Sequence, residues 1–127
     1  MITTILSDLS RVVLNPKDKK YTGSLNDLYK KVHSSPGFNF YDYFELNEEI
    51  LNFYQSFKSR DISVNLFTTG SIQNSPEVKD RLGEVFDRVF SAEELGLKKT
   101  QPEAYEFIAV NLNVKPSEIL YLPPIDE

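Results

Sequence analysis

The sequence predicts an α/β fold in three layers, a mainly parallel sheet covered by helices on both faces, and three observations carry that expectation. Apolar runs of strand length recur at Ile2–Leu6, Ile62–Phe67 and Ile119–Leu122, and each is followed by polar or turn-forming residues. Helical periodicities fall between them, most clearly at Leu46, Ile50, Phe53, Tyr54 and Phe57 and at Tyr105, Ile108, Ala109 and Leu112. Strands alternating with helices require crossover connections, which give parallel pairing.

The first strand is Ile2 to Leu6, and it delivers Ser7-Asp8-Leu9-Ser10 at its carboxyl end before hydrophobicity returns at Val12-Val13-Leu14. Ligands of open α/β sheets gather at that end of the strands, so Asp8 is placed for chemistry. Pro16 and Gly23 mark a loop, Ser24 reads as an N-cap, and Leu25, Leu28, Tyr29 and Val32 form the apolar face of a short helix that Ser34-Ser35-Pro36-Gly37 ends. An aromatic cluster, Phe38, Phe40, Tyr41, Tyr43 and Phe44, leads into the second helix, which closes near Lys58–Arg60. Core packing is the expected role of that cluster.

The next strand, Ile62 to Phe67, ends in Thr68-Thr69-Gly70-Ser71. A short helix is expected over Pro76–Leu82 and a strand over Val85–Phe90. Ser91–Lys99 reads as a connection, Pro102 suits the first turn of a helix, and Ile119–Leu122 is the last strand. No repeat or linker divides the 127 residues, which form a single domain with a small helical insertion over residues 15–45.

Composition narrows the function classes. There is no cysteine, which excludes disulfides and thiolate chemistry, and the one histidine, His33, lies in a polar stretch expected at the surface. Nineteen acidic against fourteen basic residues give a net charge of −5, so nucleic acid is not an expected partner. No apolar run approaches the roughly 20 residues that span a bilayer, no membrane partner is expected, and a cytoplasmic location follows by default.

Asp8, Thr68 and a lysine, Lys98 or Lys99, would share one rim of such a sheet. A carboxylate can attack phosphorus while a hydroxyl and an ammonium hold the phosphoryl oxygens. In that order and context the chain resembles the haloacid dehalogenase-like hydrolase superfamily. "ILSDLSRVVL" is similar to the family's first motif, with Asp8 at the nucleophile position, and "VNLFTTGS" to the second, with Thr68 on the phosphoryl oxygen. "FDRVFSAEELGLKKTQPEAYEFIAVNLNVKPSEILYL" resembles the third motif and its flanks, where Lys99 is the better match and Lys98 the alternative register.

The resemblance implies a three-layer Rossmann-like sheet of order 4-1-2-3, lacking the family's last strand, with residues 15–45 as a reduced cap. It further implies phosphatase-type phosphoryl transfer from a small phosphorylated metabolite through Asp8, with Thr69 and Gly70 against the substrate. Mg²⁺ would sit on Asp8, the Ser10 carbonyl and Asp126. Two positions depart from the pattern: Ser10 replaces a second Asp that would serve as general acid, and Pro123-Pro124 stand where the fourth motif carries acids. These departures keep a second expectation open, a relative without turnover that acts as a binding or assembly module. A metal-free dehalogenase is a further option, while a phospho-accepting receiver domain fits the order of residues poorly. The last strand would form a sheet edge, through which a second copy could pair to give a homo-oligomer.

Overall fold

The computed structural model describes residues 1–122, and Pro123, Pro124 and Asp126 lie outside the described residues. Four strands form the main sheet: β1 (Thr4–Ser7), β4 (Ser63–Thr68), β5 (Arg88–Ser91) and β6 (Ile119–Leu122). Their order is β5-β4-β1-β6 and every pair is parallel, with Ser7 level with Leu66 and Leu122, and Thr68 level with Ser91. The anticipated order is therefore observed, and β6 is at an edge of this sheet.

Alternation along the central strands assigns the two faces. Ile5, Val64 and Leu66 turn to one side, where Leu51 and Tyr54 of α3 (Glu48–Gln55) and Val78, Leu82 and Val85 of α4 (Pro76–Val85) cover them. Leu6 and Phe67 turn to the other, with Ala104, Ile108 and Ala109 of α6 (Pro102–Leu112). Each face buries aliphatic and aromatic side chains completely, so the sheet is sandwiched between helices and its strands read as nearly continuous apolar runs.

The segment after β1 holds a feature absent from the sequence reading. β2 (Leu14–Pro16) and β3 (Phe44–Leu46) form a separate antiparallel pair that brackets α1 (Leu25–Val32) and α2 (Phe40–Tyr43). α1 begins where expected because the Ser24 hydroxyl accepts from the amides of Asn26 and Asp27, and α2 because the Asn39 side chain accepts from Tyr41. Leu25, Phe40 and Phe44 belong to the same buried cluster as Ile5, Val64 and Leu66. The aromatic cluster thus packs inward at Phe40 and Phe44, while Tyr41 and Tyr43 remain exposed.

Three boundaries need correction. The strand placed at Val85–Phe90 begins at Arg88, because Val78, Leu82 and Val85 share one helical face and extend α4 to Val85. Asp87 makes the turn between them, exchanging bonds with the Val64 backbone. The supposed connection Ser91–Lys99 contains α5 (Ala92–Leu95), started by the Ser91 hydroxyl accepting from the Glu94 amide and stopped by Gly96 at φ +70°. The helix expected over Leu46–Phe57 starts at Glu48, after the Asn47 cap, and tightens to a 3₁₀ turn from Ser56.

Candidate functional site

The carboxyl ends of β1 and β4 bring two of the anticipated residues, Asp8 and Lys99, into contact. Asp8 directly follows β1, and its Oδ1 lies 2.8 Å from the Lys99 ammonium while accepting from the Leu9 amide at 2.7 Å. Lys99 reaches it from the loop between α5 and α6, and its Nζ also donates to the Phe67 carbonyl at 3.0 Å and lies 5.2 Å from the Phe67 ring centre. An ammonium has three protons, so these two bonds leave one for a ligand. The two side chains are 31% and 23% exposed, enough to meet a solute from solvent.

Lys98 does not share this position. It is exposed, its amide donates to the Gln101 side chain, and Lys99 is the lysine paired with Asp8. Thr68, a buried residue, ends β4 one residue past the carbonyl that anchors Lys99. Thr69 and Lys99 border a cleft of about 340 Å³ whose other walls are Ala92, Glu93, Gly96, Leu97 and Lys98. Gly70 is buried, its carbonyl accepting from the Gln73 side chain at 2.8 Å and from the Ser91 hydroxyl at 2.9 Å. The loop after β4 is held from below by these two bonds.

The insertion reaches this rim. Arg11, in the left-handed region at φ +62°, donates to the carbonyls of Tyr21 (3.1 Å) and Gly23 (2.7 Å), clasping the segment before α1 to the loop after Asp8. A Cβ on Gly70 would come within 2.6 Å of the Asn26 side-chain oxygen, so the two segments approach closely here and a larger residue would displace the flexible end of Asn26. Tyr105 packs edge-on against Phe67 and Tyr121, and burial first, then the Asp8 carboxylate, pushes its hydroxyl pKa above the ordinary tyrosine value.

Sequence reasoning took Tyr54 and Tyr105 as apolar helix positions and gave Ser7, Arg11 and Asn26 no role. A tyrosine in a helix stripe that an aliphatic residue could fill is the one signal that pointed to a polar partner at its tip.

Magnesium, implied by the resemblance, finds suitable donor chemistry here. Asp8 Oδ2 and the Ser10 carbonyl are hard oxygens that accept no hydrogen bond among the described residues. Those residues contain no convergent group of three Asp, Glu, His or Cys side chains, so water and substrate would complete the shell, and Asp126 lies outside the described residues.

A parallel α/β sheet presenting a partly exposed carboxylate–ammonium pair at its carboxyl edge defines a Rossmann-like domain with charged groups where such folds bind ligands. A family model of the haloacid dehalogenase-like hydrolases matches residues 22–122, and the chain belongs to that family. Thr68 and Lys99 fall within the match; Asp8 precedes it.

Solved structures agree on the fold. A HAD family enzyme from Bacteroides thetaiotaomicron, an aspartate-to-alanine mutant in complex with magnesium and inorganic phosphate, superposes with a TM-score of 0.67 at 13% identity, covering 95% of this chain and 84% of that one. A haloacid dehalogenase-like hydrolase from Bacteroides fragilis gives 0.62 at 16% identity, covering 95% and 78%. A dehalogenase with an intermediate complex gives 0.53 at 23%, over 60% of this chain and 34% of its own. No curated protein matches the chain significantly. No helix among the described residues is long and apolar enough to cross a membrane.

Proposed function

We propose that this chain is a phosphatase-type hydrolase that transfers the phosphoryl group of a small phosphorylated metabolite through Asp8. The observation that carries the proposal is the Asp8–Lys99 pair, 2.8 Å apart at the end of β1, with Lys99 also lining a cleft that Thr69 borders. One oxygen of the Asp8 carboxylate forms the bond to phosphorus as the bond to the leaving oxygen breaks, and the leaving group takes the electron pair. Water then attacks the aspartyl phosphate, releasing inorganic phosphate and restoring the carboxylate.

Charge on the transferred oxygens is met by the third Lys99 proton and the Thr68 hydroxyl. Asp8 and the Ser10 carbonyl would hold Mg²⁺, which supplies further positive charge to those oxygens when bound. A neighbour of the same fold in complex with magnesium and inorganic phosphate supports this chemistry. Ser10 has no acidity near neutral pH, so esters of acidic alcohols and phenols are the favoured substrates.

The test is magnesium-dependent phosphate release from an aryl phosphate by the wild-type chain and by Asp8→Asn. Release that the substitution abolishes is expected, and equal rates overturn the proposal. The scarcity of acidic ligands among the described residues favours one second reading, a binding module without turnover. Its signature is the absence of both phosphate release and saturable beryllofluoride binding with magnesium.

A further inference from the structure

We infer that Ser7 and Tyr54 are positioning residues for Asp8, a pair of buried hydroxyls running from α3 to the peptide that orients the carboxylate. The inference rests on Asp8 being the nucleophile proposed above.

Successive residues of β1 face opposite sides of the sheet. Ser7 therefore turns toward α3 with Ile5, while Asp8 turns toward Lys99 and Tyr105. Ser7 is 1% exposed, and its Oγ donates to the Asp8 carbonyl at 2.9 Å. A hydroxyl has a single proton. The contact between Ser7 Oγ and the Tyr54 hydroxyl, 2.8 Å, must then be donated by Tyr54. The Tyr54 ring is wholly buried against Phe86 and Phe53, so its hydroxyl has a fixed origin.

The destination of these bonds gives them their role. The carbonyl that Ser7 holds belongs to the Asp8–Leu9 peptide, and the N–H of that same peptide donates to Asp8 Oδ1. Rotation of this rigid unit would carry the carboxylate's donor with it. On its other side the Asp8 amide is bonded to the Leu122 carbonyl at 2.7 Å. Between them these three bonds fix both peptides that flank the reacting residue, and the Tyr54–Ser7 bond ties the second of those peptides to α3.

The experiment measures aryl phosphate turnover and amide hydrogen exchange in Tyr54→Phe, Ser7→Ala and the double variant. Tyr54→Phe keeps the ring in its packing. We expect each single variant to lower kcat about tenfold at unchanged KM, since small misplacements of a reacting group have effects of that order or larger. The double variant should lose no more than either single one, because both cut the same chain.

The Leu9 amide should exchange faster in each variant, while the Val64 amide, elsewhere in the sheet, keeps its wild-type rate. Losses that multiply in the double variant, or a Leu9 amide that exchanges at its wild-type rate, overturn the relay. If Asp8→Asn matches the wild type, the nucleophile assignment fails. If Asp8→Asn is inactive but Tyr54→Phe retains full kcat, only the relay fails. Exchange at Leu9 reads the relay even in a chain without turnover.

Discussion

Replacing Lys99 by Met should separate catalysis from stability, and the structure sets both magnitudes. At 2.8 Å the Asp8–Lys99 attraction is about 6 kcal/mol at an effective dielectric of about 20 and about 1.5 in bulk water. The side chains are 23% and 31% exposed, so solvent screens the pair and hydrates Asp8 once its partner is gone. The cost therefore stays well below the roughly 3–5 kcal/mol of breaking a fully buried pair. Adding the lost bond to the Phe67 carbonyl, about 1–2 kcal/mol is expected.

For 127 residues the unfolding entropy near the midpoint is about 0.27 kcal/mol per kelvin, which converts that loss to a Tm decrease of about 4–7 °C. Turnover should fall far more, by roughly 10²–10³, because a positive group aimed at the transferred oxygens acts chiefly in the transition state. Thermal unfolding followed by circular dichroism, beside phosphate release from an aryl phosphate, measures both. A Tm decrease beyond about 15 °C, or turnover equal to wild type, would refute the reasoning.

Gly70→Ala places a methyl 2.6 Å from the Asn26 side-chain oxygen, whose flexible end can swing away; stability should change by less than about 1 kcal/mol while KM rises, and adding Asn26→Ala should restore KM. Arg81 joins α3 to α4 through Glu48, Asn52 and Gln55, so Arg81→Met should lower Tm by about 4–7 °C, and by less in 1 M salt; identical melting of the two proteins would deny the network any net contribution. Alkaline pH should unfold the chain because burial, foremost, raises the pKa of Tyr54, Tyr105 and Tyr121. The folded state holds these protons more tightly than the unfolded one, so stability is full below about pH 10 and declines as pH rises through the folded values. Urea unfolding between pH 8 and 12 should show a shallower decline for Tyr105→Phe, and an identical slope would contradict the assignment.

The sheet was legible because its central strands are buried on both faces and appear in the sequence as uninterrupted apolar runs. The same property placed Asp8 and Thr68 at strand ends. β2 and β3 escaped notice since three residues carry no periodicity, Leu14-Asn15-Pro16 includes a proline, and their partners are far apart in sequence. The boundary between α4 and β5 was misjudged because Val85 and Phe86 suit either a helix face or a strand, and only tertiary packing decides. At the site, the sequence favoured Lys99 over Lys98 by motif register alone, and the loop geometry turns Lys99 to Asp8. The Ser7–Tyr54 contact spans 47 positions and links two residues that each look like ordinary core, so no local pattern announces it.

The residues between β2 and β3 contribute Leu25 and Phe40 to the same hydrophobic interior as the sheet, so this segment is not packed as a separate unit. Swinging it open would mean exposing aromatic surface already shared with Ile5 and Val64.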